Sequence, residues 1–364
     1  MNVTAAVVES KGAPFTRREL PLGELRPNEV LVEVAASGIC HTDLSCRNQL
    51  IPTPLPAVLG HEGAGVVARV GEAVTKVAPG DRVGMTFTAC GDCPSCRRRM
   101  SAYCHQFFEH NFAATRCADG SSVFGDVGGH FFGQSSFATH SVALERNVVK
   151  VPDAVPLEVA APFGCGIQTG AGAVLRSFAA PAGSSLGVFG VGSVGLAAVL
   201  GGVIAGCDPI VAVDLVPERL ELAHELGATH VVDARGADVV ERVKEVTSCG
   251  VDFAIEATGS PEVLRECVDA TAPCGVTGVI GAPAFGTEVA LDVTTILTGG
   301  RVVRGVVEGD SVPDEFLPYL YSLYADGRFP VDRLMTFYEF DEIEQAACDA
   351  ESGRVIKAVL RMRR

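Results

Sequence analysis

Short apolar runs alternate with glycine and proline through the first part of the chain. Four of these runs are rich in β-branched residues and show the patterning of half-buried strands: residues 29–36, 65–70, 81–85 and 137–142. Because turn-forming residues separate runs as short as these, the pattern predicts an antiparallel, barrel-like domain that extends to about Pro152.

The rhythm changes at about residue 165, where apolar runs become separated by segments of helical length. Strands are predicted over residues 186–189, 210–213, 230–232, 251–255, 276–280 and 301–307, with helices over 194–205 and 217–226. Buried strands that alternate with helices indicate a parallel, doubly wound sheet. The tail from Pro313 lacks this rhythm, and we expect it to return and complete the first domain.

Length, composition and charge narrow the class of protein. A chain of 364 residues favours two domains, and 48% hydrophobic against 20% charged residues excludes a disordered chain. The formal net charge of −15 argues against a nucleic-acid surface, because phosphate binding needs clustered Lys and Arg. Residues 1–15 lack the basic region, apolar core and cleavage site of a signal peptide, so we expect a cytoplasmic protein.

One uncharged stretch, residues 187–206, is long enough to span a bilayer. Its many glycines, which cluster near its start, favour a strand, a tight turn and a buried helix instead. We therefore expect no membrane partner.

Four of the thirteen cysteines crowd into one short segment with the spacing Cys90-x2-Cys93-x2-Cys96-x7-Cys104. Two-residue gaps let a chain wrap a tetrahedral ion, since Zn–S bonds of about 2.3 Å require such short connections. Four thiolates leave no open coordination position, so this zinc would be structural. The alternative, a set of free or disulfide-bonded cysteines, is disfavoured by the spacing and by a reducing compartment.

Other motifs occur in the order Gly38-Ile39-Cys40-His41-Thr42-Asp43, Gly60-His61-Glu62-Gly63-Ala64-Gly65 and Gly164-Cys165-Gly166. Together with the cysteine segment and a later glycine motif, they resemble the zinc-containing alcohol dehydrogenases of the medium-chain dehydrogenase/reductase superfamily. The segment 130–139 is most similar to the aryl- and benzyl-alcohol branch, which includes enzymes for allylic terpenoid alcohols. The resemblance covers essentially the whole chain.

The resemblance implies a GroES-like catalytic domain over residues 1–165 and 308–364, with the structural zinc lobe at 90–104. It also implies a Rossmann NAD-binding domain over residues 166–307. Its further implication is an enzyme that exchanges hydride between a primary alcohol or its aldehyde and NAD. A homodimer or homotetramer, formed along the edge at residues 301–307, follows by the same analogy.

The resemblance also implies a catalytic zinc bound by three side chains, with a fourth position left open: Cys40, His61 and Cys165. Such a zinc is a Lewis acid that can lower the pKa of a bound hydroxyl toward neutrality. Asp43 matches the carboxylate that orients the histidine ligand. Glu62 either binds the metal transiently during ligand exchange or only balances charge, and the sequence leaves both readings open.

By the same match, Thr42 would accept the alcohol proton beside the metal. Liver-type enzymes end this relay at a histidine five residues after the first zinc cysteine, and Ser45 stands there in this chain. We expect ordered water, or Ser45 with water, to carry the proton outward.

The glycine motif Gly190-Val191-Gly192-Ser193-Val194-Gly195 follows a predicted strand and opens a predicted helix. In that context the glycines permit a tight turn and a close approach to a pyrophosphate at the helix N-terminus. Asp214, at the end of the next strand, would bind the adenosine ribose hydroxyls and repel a 2′-phosphate, which favours NAD over NADP. Matching to the family adds further cofactor-binding residues: Arg219 near the ribose, His41 and Lys357 near the pyrophosphate, and Thr169 and Val194 behind the nicotinamide.

The substrate pocket is predicted from family positions: Thr86, Phe131, Phe132, Ala282 and Val307. Thr86 replaces a bulky phenylalanine of liver-type enzymes, so the pocket would suit a flat or branched primary alcohol better than ethanol. Two other functions stay open: a formaldehyde dehydrogenase that acts on a thiol adduct, and a catalytically silent NAD-binding scaffold.

Overall fold

The structure is a computed structural model that describes residues 1–236 and 238–362. The chain divides into two compact units, one formed by Met1–Cys165 with Val312–Arg364 and the other by Gly166–Ser311. The boundary at which the chain returns from the second unit to the first lies between residues 311 and 312, whereas the resemblance placed it between 307 and 308.

The first part of the first unit is built from two antiparallel arrangements of short strands. Its strands are β1 (Asn2–Val8), β2 (Thr16–Pro21), β3 (Glu29–Gly38), β4 (Ala57–Val58), β5 (Glu62–Val70), β6 (Arg82–Met85), β7 (His140–Leu144) and β8 (Val148–Lys150). The order β2-β1-β4 forms a small sheet, while β3, β5, β6 and β8 follow one another in a larger one, with β7 also paired to β3. Four short helices accompany them: α1 (His41–Arg47), α2 (Pro94–Arg97), α3 (Phe107–Asn111) and α4 (Leu157–Ala160).

The second unit contains a six-stranded parallel sheet. Its strands are β9 (Leu186–Phe189), β10 (Ile210–Asp214), β11 (His230–Asp233), β12 (Val251–Glu256), β13 (Thr271–Val279) and β14 (Val302–Gly305). Its helices are α5 (Gly166–Gly172), α6 (Ser193–Ala205), α7 (Pro217–Glu225), α8 (Val239–Thr247), α9 (Pro261–Ala270) and α10 (Val293–Gly299). The strand order is β11-β10-β9-β12-β13-β14, so the direction of winding reverses between β9 and β12, where nucleotide crevices form in such folds.

The predicted fold class is confirmed: one unit is built on largely antiparallel sheets, and the other contains a Rossmann-like parallel sheet. The uncharged stretch 187–206 divides into β9, a turn and α6, as its glycines indicate. Among the described residues, no helix is both long and apolar enough to cross a membrane.

The tail packs onto the first unit through four elements: α11 (Pro313–Ala325), β15 (Met335–Glu339), α12 (Ile343–Glu351) and β16 (Lys357–Arg361). Strand β16 pairs antiparallel with the end of β3, where Val359 lies opposite Gly38, and parallel with β15. This pairing brings Lys357, at the start of β16, to the segment that carries Cys40.

Candidate active site

The structure brings together four potential metal ligands of the first unit. The ligand atoms of Cys40, His61, Glu62 and Cys165 all lie within 4.8 Å of one another. Cys40 immediately precedes α1, His61 immediately precedes β5, Glu62 begins that strand, and Cys165 ends the first segment of the first unit. Because these segments are distant in sequence, only the folded sheet assembles the group.

His61 is held in one orientation by Asp43, which is fully buried. Asp43 Oδ1 lies 2.9 Å from His61 Nδ1 and also accepts the Gly60 N–H, while Oδ2 accepts the Cys40 N–H at 2.9 Å. One carboxylate therefore fixes the imidazole of one ligand and the backbone of another. The bond to Nδ1 leaves Nε2 as the ligand atom, an arrangement typical of metal-bound histidines.

The group has the properties that a zinc ion requires. His61 Nε2 is buried and has no hydrogen-bond partner among the described residues, so an ion would supply the missing interaction. The hydrogen bond with Cys165 lowers the pKa of the Cys40 thiol well below its usual value, although burial opposes this shift. Burial disfavours the imidazolium, but Asp43 nevertheless raises the pKa of His61, so the site stabilises positive charge at this position. Two sulfurs and one imidazole nitrogen are ligands that suit zinc.

Glu62 forms a buried ion pair on the same site. Both of its carboxylate oxygens lie 2.9 Å from Lys357 Nζ, which also donates to Ile39 O. Burial raises the pKa of Glu62, and the ammonium of Lys357 opposes that rise. The pair shows a charge-balancing contact for Glu62, yet Glu62 also stands within the ligand group, so transient coordination stays a prediction. The role predicted for Lys357 at the pyrophosphate also stays a prediction. Its side chain is 2% exposed, and its ammonium group contacts Glu62.

Thr42 and Ser45 lie on α1 beside the ligand group. Thr42 Oγ1 is 3.7 Å from Cys40 Sγ, and both hydroxyl residues are partly exposed. Residues three apart on a helix share a face, so Ser45 follows Thr42 on the same side of α1. His41, the first residue of α1, is exposed.

Two phenylalanines pack against the imidazole of His61. The Phe132 ring is stacked on it with centroids 4.5 Å apart, and Phe131 meets it edge-on at 5.6 Å. Phe132 has a φ of 50°, a left-handed backbone conformation that costs an aromatic residue free energy and needs support from its surroundings. Asn147 Nδ2 supplies some of that support by donating to Phe132 O.

The other predicted pocket residues are divided between the units. Thr86 is fully buried in the first unit, and its hydroxyl donates to Gly164 O at 2.7 Å. Ala282 is exposed after β13, and Val307 is half-buried after β14, both in the second unit. Their contribution to a pocket stays a prediction.

The four cysteines of the predicted lobe form a second group whose sulfur atoms lie within 4.8 Å of one another: Cys90, Cys93, Cys96 and Cys104. Backbone N–H groups of the lobe donate to these sulfurs, from Cys93 to Cys90 and from Cys90 and Gln106 to Cys104. The backbone N–H of His105 lowers the pKa of Cys93 to about 6, which favours the thiolate that zinc requires. Gly91 makes the first turn with a φ of 88°.

The glycine motif of the second unit lies in the predicted strand–turn–helix context. Gly190 has a φ of 89°, and a Cβ atom at Gly195 would stand 2.0 Å from Gly190 O, so both positions require glycine. A Cβ atom at Gly192 would meet nothing within 4 Å, which leaves open space above the turn. Ser193 then begins α6, whose N-terminus suits an anionic pyrophosphate.

Asp214 ends β10 beside this turn, and backbone amides surround its carboxylate. Oδ2 accepts the Val191 N–H, and Oδ1 accepts those of Leu215 and Val216, all at 2.8 to 2.9 Å. Asp214 therefore braces the glycine turn in addition to the ribose-binding role predicted for it. Arg219 lies on α7.

The two residues predicted behind the nicotinamide, Thr169 and Val194, lie on neighbouring helices of the second unit. Thr169 lies on α5, and a Cβ atom on the neighbouring Gly170 would stand 2.0 Å from the backbone oxygen of Val194. This close packing joins α5 to the start of α6, and the nicotinamide contacts predicted for Thr169 and Val194 stay a prediction.

Sequence reasoning missed two interactions of this site. The first is the Lys357–Glu62 pair, which depends on the register of β16 against β3. The second is the fully buried Gln134, whose side-chain amide bonds to His61 O and Gly63 N. The sequence carries one signal for Gln134: it is a polar amide residue that follows two phenylalanines and a glycine and precedes two serines within residues 130–139.

Comparisons with known proteins identify the class that this site defines. A model of the alcohol dehydrogenase GroES-like domain matches residues 26–153, and a zinc-binding dehydrogenase model matches residues 193–324. A geraniol dehydrogenase from Castellaniella defragrans is 42% identical over 366 aligned positions, which cover 99% of this chain and 98% of that one.

Two crystal structures cover the full length of this chain and of their own. An alcohol dehydrogenase zinc-binding domain protein from Burkholderia ambifaria is 50% identical with a TM-score of 0.98. A benzyl alcohol dehydrogenase from Acinetobacter calcoaceticus is 45% identical with a TM-score of 0.97. The chain belongs to the zinc-containing alcohol dehydrogenases of the medium-chain dehydrogenase/reductase superfamily. It is an oxidoreductase that uses zinc and a nucleotide cofactor on small-molecule alcohols, as the sequence predicts.

Proposed function

We propose that this enzyme interconverts a bulky primary alcohol, aryl or allylic, and its aldehyde with NAD+ and NADH. The observation that carries the proposal is the pair of phenylalanine rings on the imidazole of His61, at 4.5 Å and 5.6 Å. Aromatic walls beside the metal ligand favour flat, conjugated groups over a short alkyl chain. The names of two relatives, geraniol dehydrogenase and benzyl alcohol dehydrogenase, support the same substrate class.

We assign the catalytic zinc to Cys40, His61 and Cys165 and the structural zinc to the four-cysteine lobe. When bound at the first site, zinc supplies a Lewis acid that acidifies an alcohol hydroxyl or polarises an aldehyde carbonyl. Asp43 keeps Nε2 of His61 directed at the ion. Lys357 neutralises Glu62, which limits the negative charge that the site places next to two thiolates.

Thr42 is the proposed proton acceptor for the alcohol. Its hydroxyl lies beside the Cys40 sulfur, and Ser45 continues the same face of α1 toward solvent. A hydroxyl both accepts and donates a hydrogen bond, so Thr42 can take up one proton while it releases another. Ser45 with ordered water then replaces the histidine of liver-type enzymes.

The substrate proposal is tested by NADH absorbance with benzyl alcohol, geraniol and ethanol as separate substrates. We expect kcat/KM for the two larger alcohols to exceed that for ethanol by at least about tenfold. A preference for ethanol would overturn the substrate class. Oxidation of formaldehyde only in the presence of a thiol would establish the thiol-adduct alternative, and a zinc-replete protein inert toward all of them would establish the silent scaffold.

We further propose a cytoplasmic homodimer or homotetramer. Strand β14 lies at the edge of the described six-stranded sheet, and its Val302 and Val303 side chains are 47% and 39% exposed. An exposed apolar edge is a natural pairing surface for a second copy. The thiolates of both metal groups agree with a reducing compartment. Light scattering during gel filtration tests the assembly, and a monomer at micromolar concentration would contradict it.

A further inference from the structure

The side chain of Gln134 occupies a gap between two strands next to the catalytic histidine. Strands β5 and β6 pair from Ala64 to Val66, and the pairing is not continued at His61. There Gln134 Nε2 donates to His61 O at 2.8 Å, and Gly63 N donates to Gln134 Oε1 at 3.1 Å. In a continuous sheet, a residue of the neighbouring strand would donate its N–H to His61 O and accept the N–H of Gly63. The side-chain amide of Gln134 supplies the same donor and acceptor.

The same amide reaches the segment that leaves β6. Gln134 Nε2 also lies 3.3 Å from Thr86 O, and the Thr86 hydroxyl donates to Gly164 O at 2.7 Å. Gly164 is the residue immediately before Cys165, and its backbone is pressed against β6, since a Cβ atom there would stand 1.9 Å from Met85 O. A continuous chain of buried hydrogen bonds therefore joins the backbone of one proposed metal ligand to the residue that precedes another.

We propose that Gln134 and Thr86 are positioning residues that set the separation of His61 and Cys165 around the catalytic zinc. Neither side chain is one of the four clustered ligands, so each acts through the backbone of the ligand segments. Both are fully buried, and removal of either side-chain amide or hydroxyl takes a buried hydrogen bond away from the backbone of a ligand segment. Without that bond the ligand segment is held less firmly, and we expect the coordination geometry to change with it.

This inference rests on the proposed catalytic zinc site but is independent of the substrate. The chain offers a matched control in Thr88, two residues along from Thr86. Thr88 is 2% exposed, and its hydroxyl is buried without a hydrogen-bond partner among the described residues. Thr88→Val therefore makes the same chemical change as Thr86→Val without removing a bond.

The experiment measures the rate at which a chelator removes zinc from the purified two-zinc protein, and the visible spectrum after Co²⁺ replaces the catalytic zinc. We expect Thr86→Val and Gln134→Met to release this zinc about tenfold faster than the unchanged protein and to shift the cobalt bands. Thr86→Ser, which keeps the donor, should restore slow release, and Thr88→Val should stay within about twofold of the unchanged protein. Retention of the structural zinc in each variant shows that it has folded.

Equal release rates and unchanged cobalt spectra in Thr86→Val and Gln134→Met would overturn the positioning role. So would equal acceleration by Thr88→Val, because the effect would then follow loss of a hydroxyl rather than loss of a bond. If the protein without substitutions carries only the lobe zinc, the proposed catalytic zinc site is wrong. Metal analysis reveals this outcome before any variant is made, so it is distinguishable from the other two.

Discussion

The two proposed metal sites of the first unit are built in opposite ways. The four cysteines of residues 90–104 form a partly exposed group from one short segment, and several of the N–H groups around their sulfurs come from the same segment. The catalytic group joins Cys40, His61 and Cys165 from distant segments and is almost entirely buried. A closed tetrathiolate site can therefore be specified locally, whereas an open site depends on the fold around it.

The proposed catalytic site is supported by buried charged side chains, whereas the lobe is supported by backbone N–H groups and by the partly exposed Arg146. Asp43 and Lys357 hold the ligand group from one side through bonds to His61 and Glu62, and both are buried. A site with a vacant coordination position lacks one of the ligands that would fix its geometry, so the surrounding protein must fix it instead. Loss of a group at the proposed catalytic site should therefore have a larger effect on activity than loss of a group at the lobe.

His61→Ala should have the largest effect. Loss of the imidazole removes a ligand of the catalytic zinc, so we expect activity to fall by at least about 10³-fold and one of the two zincs to be lost. Metal analysis and NADH absorbance measure the two results. The lobe should keep its zinc, and loss of both ions from a folded protein would show that the two groups are not independent.

Thr42→Ala should lower turnover by about 10²-fold with both zincs retained, because it removes the proposed proton acceptor without touching a ligand. The measurement is kcat at saturating substrate, with metal content determined on the same sample. Ser45→Ala is the matched control on the same helix face, and we expect a change within about threefold since water can take its place. Near-normal turnover in Thr42→Ala would exclude the relay.

Cys96→Ser should remove the structural zinc and leave the catalytic zinc in place. The lobe is partly exposed and its four clustered cysteines would share one metal, so after zinc loss residues 90–106 should become sensitive to limited proteolysis while initial activity falls by no more than about tenfold. Mass spectrometry of the fragments locates the cleavage. Resistance of the lobe to protease after zinc loss would contradict the view that the metal holds it together.

Arg146→Ala should have the smallest effect. Arg146 Nη1 donates to Ala89 O and Cys90 O at 2.7 and 2.5 Å, which ties the first turn of the lobe to the rest of the unit. We expect zinc loss from the lobe to accelerate about two- to fivefold with activity unchanged, because the bonds are partly exposed. Arg98→Ala, at an exposed arginine of the same lobe, should change neither the rate of zinc loss nor the activity.

The same contrast explains how much could be predicted from the sequence. The clustering of the four lobe cysteines could be predicted from their spacing alone. Strand β9 was predicted with its observed bounds, Leu186–Phe189, because local sequence pattern determines both features. The ligands of the catalytic group were readable only through resemblance to a family. Their supports, Gln134 and the Lys357–Glu62 pair, depend on strand register between remote segments, which hydrophobic periodicity does not encode.

Local irregularity accounts for other differences. Strand β13 begins at Thr271, five residues before the predicted start, and it includes Pro273, Gly275 and the left-handed Cys274. Such residues are typical of loops, but a register shift against β12 accommodates them. The left-handed conformation of Phe132 was equally unpredictable, because aromatic residues rarely adopt it and only the packed surroundings enforce it.

The three amide contacts of Asp214 bear on how coenzyme preference could change during evolution. A mutation that removes this carboxylate to admit a phosphorylated ribose also deprives Val191 N of its acceptor and loosens the turn that both coenzymes need. Drift toward NADP would thus begin with weaker binding of either dinucleotide. A lineage that made the change would need a second substitution to rebuild the turn, so the turn itself would protect the proposed preference for NAD.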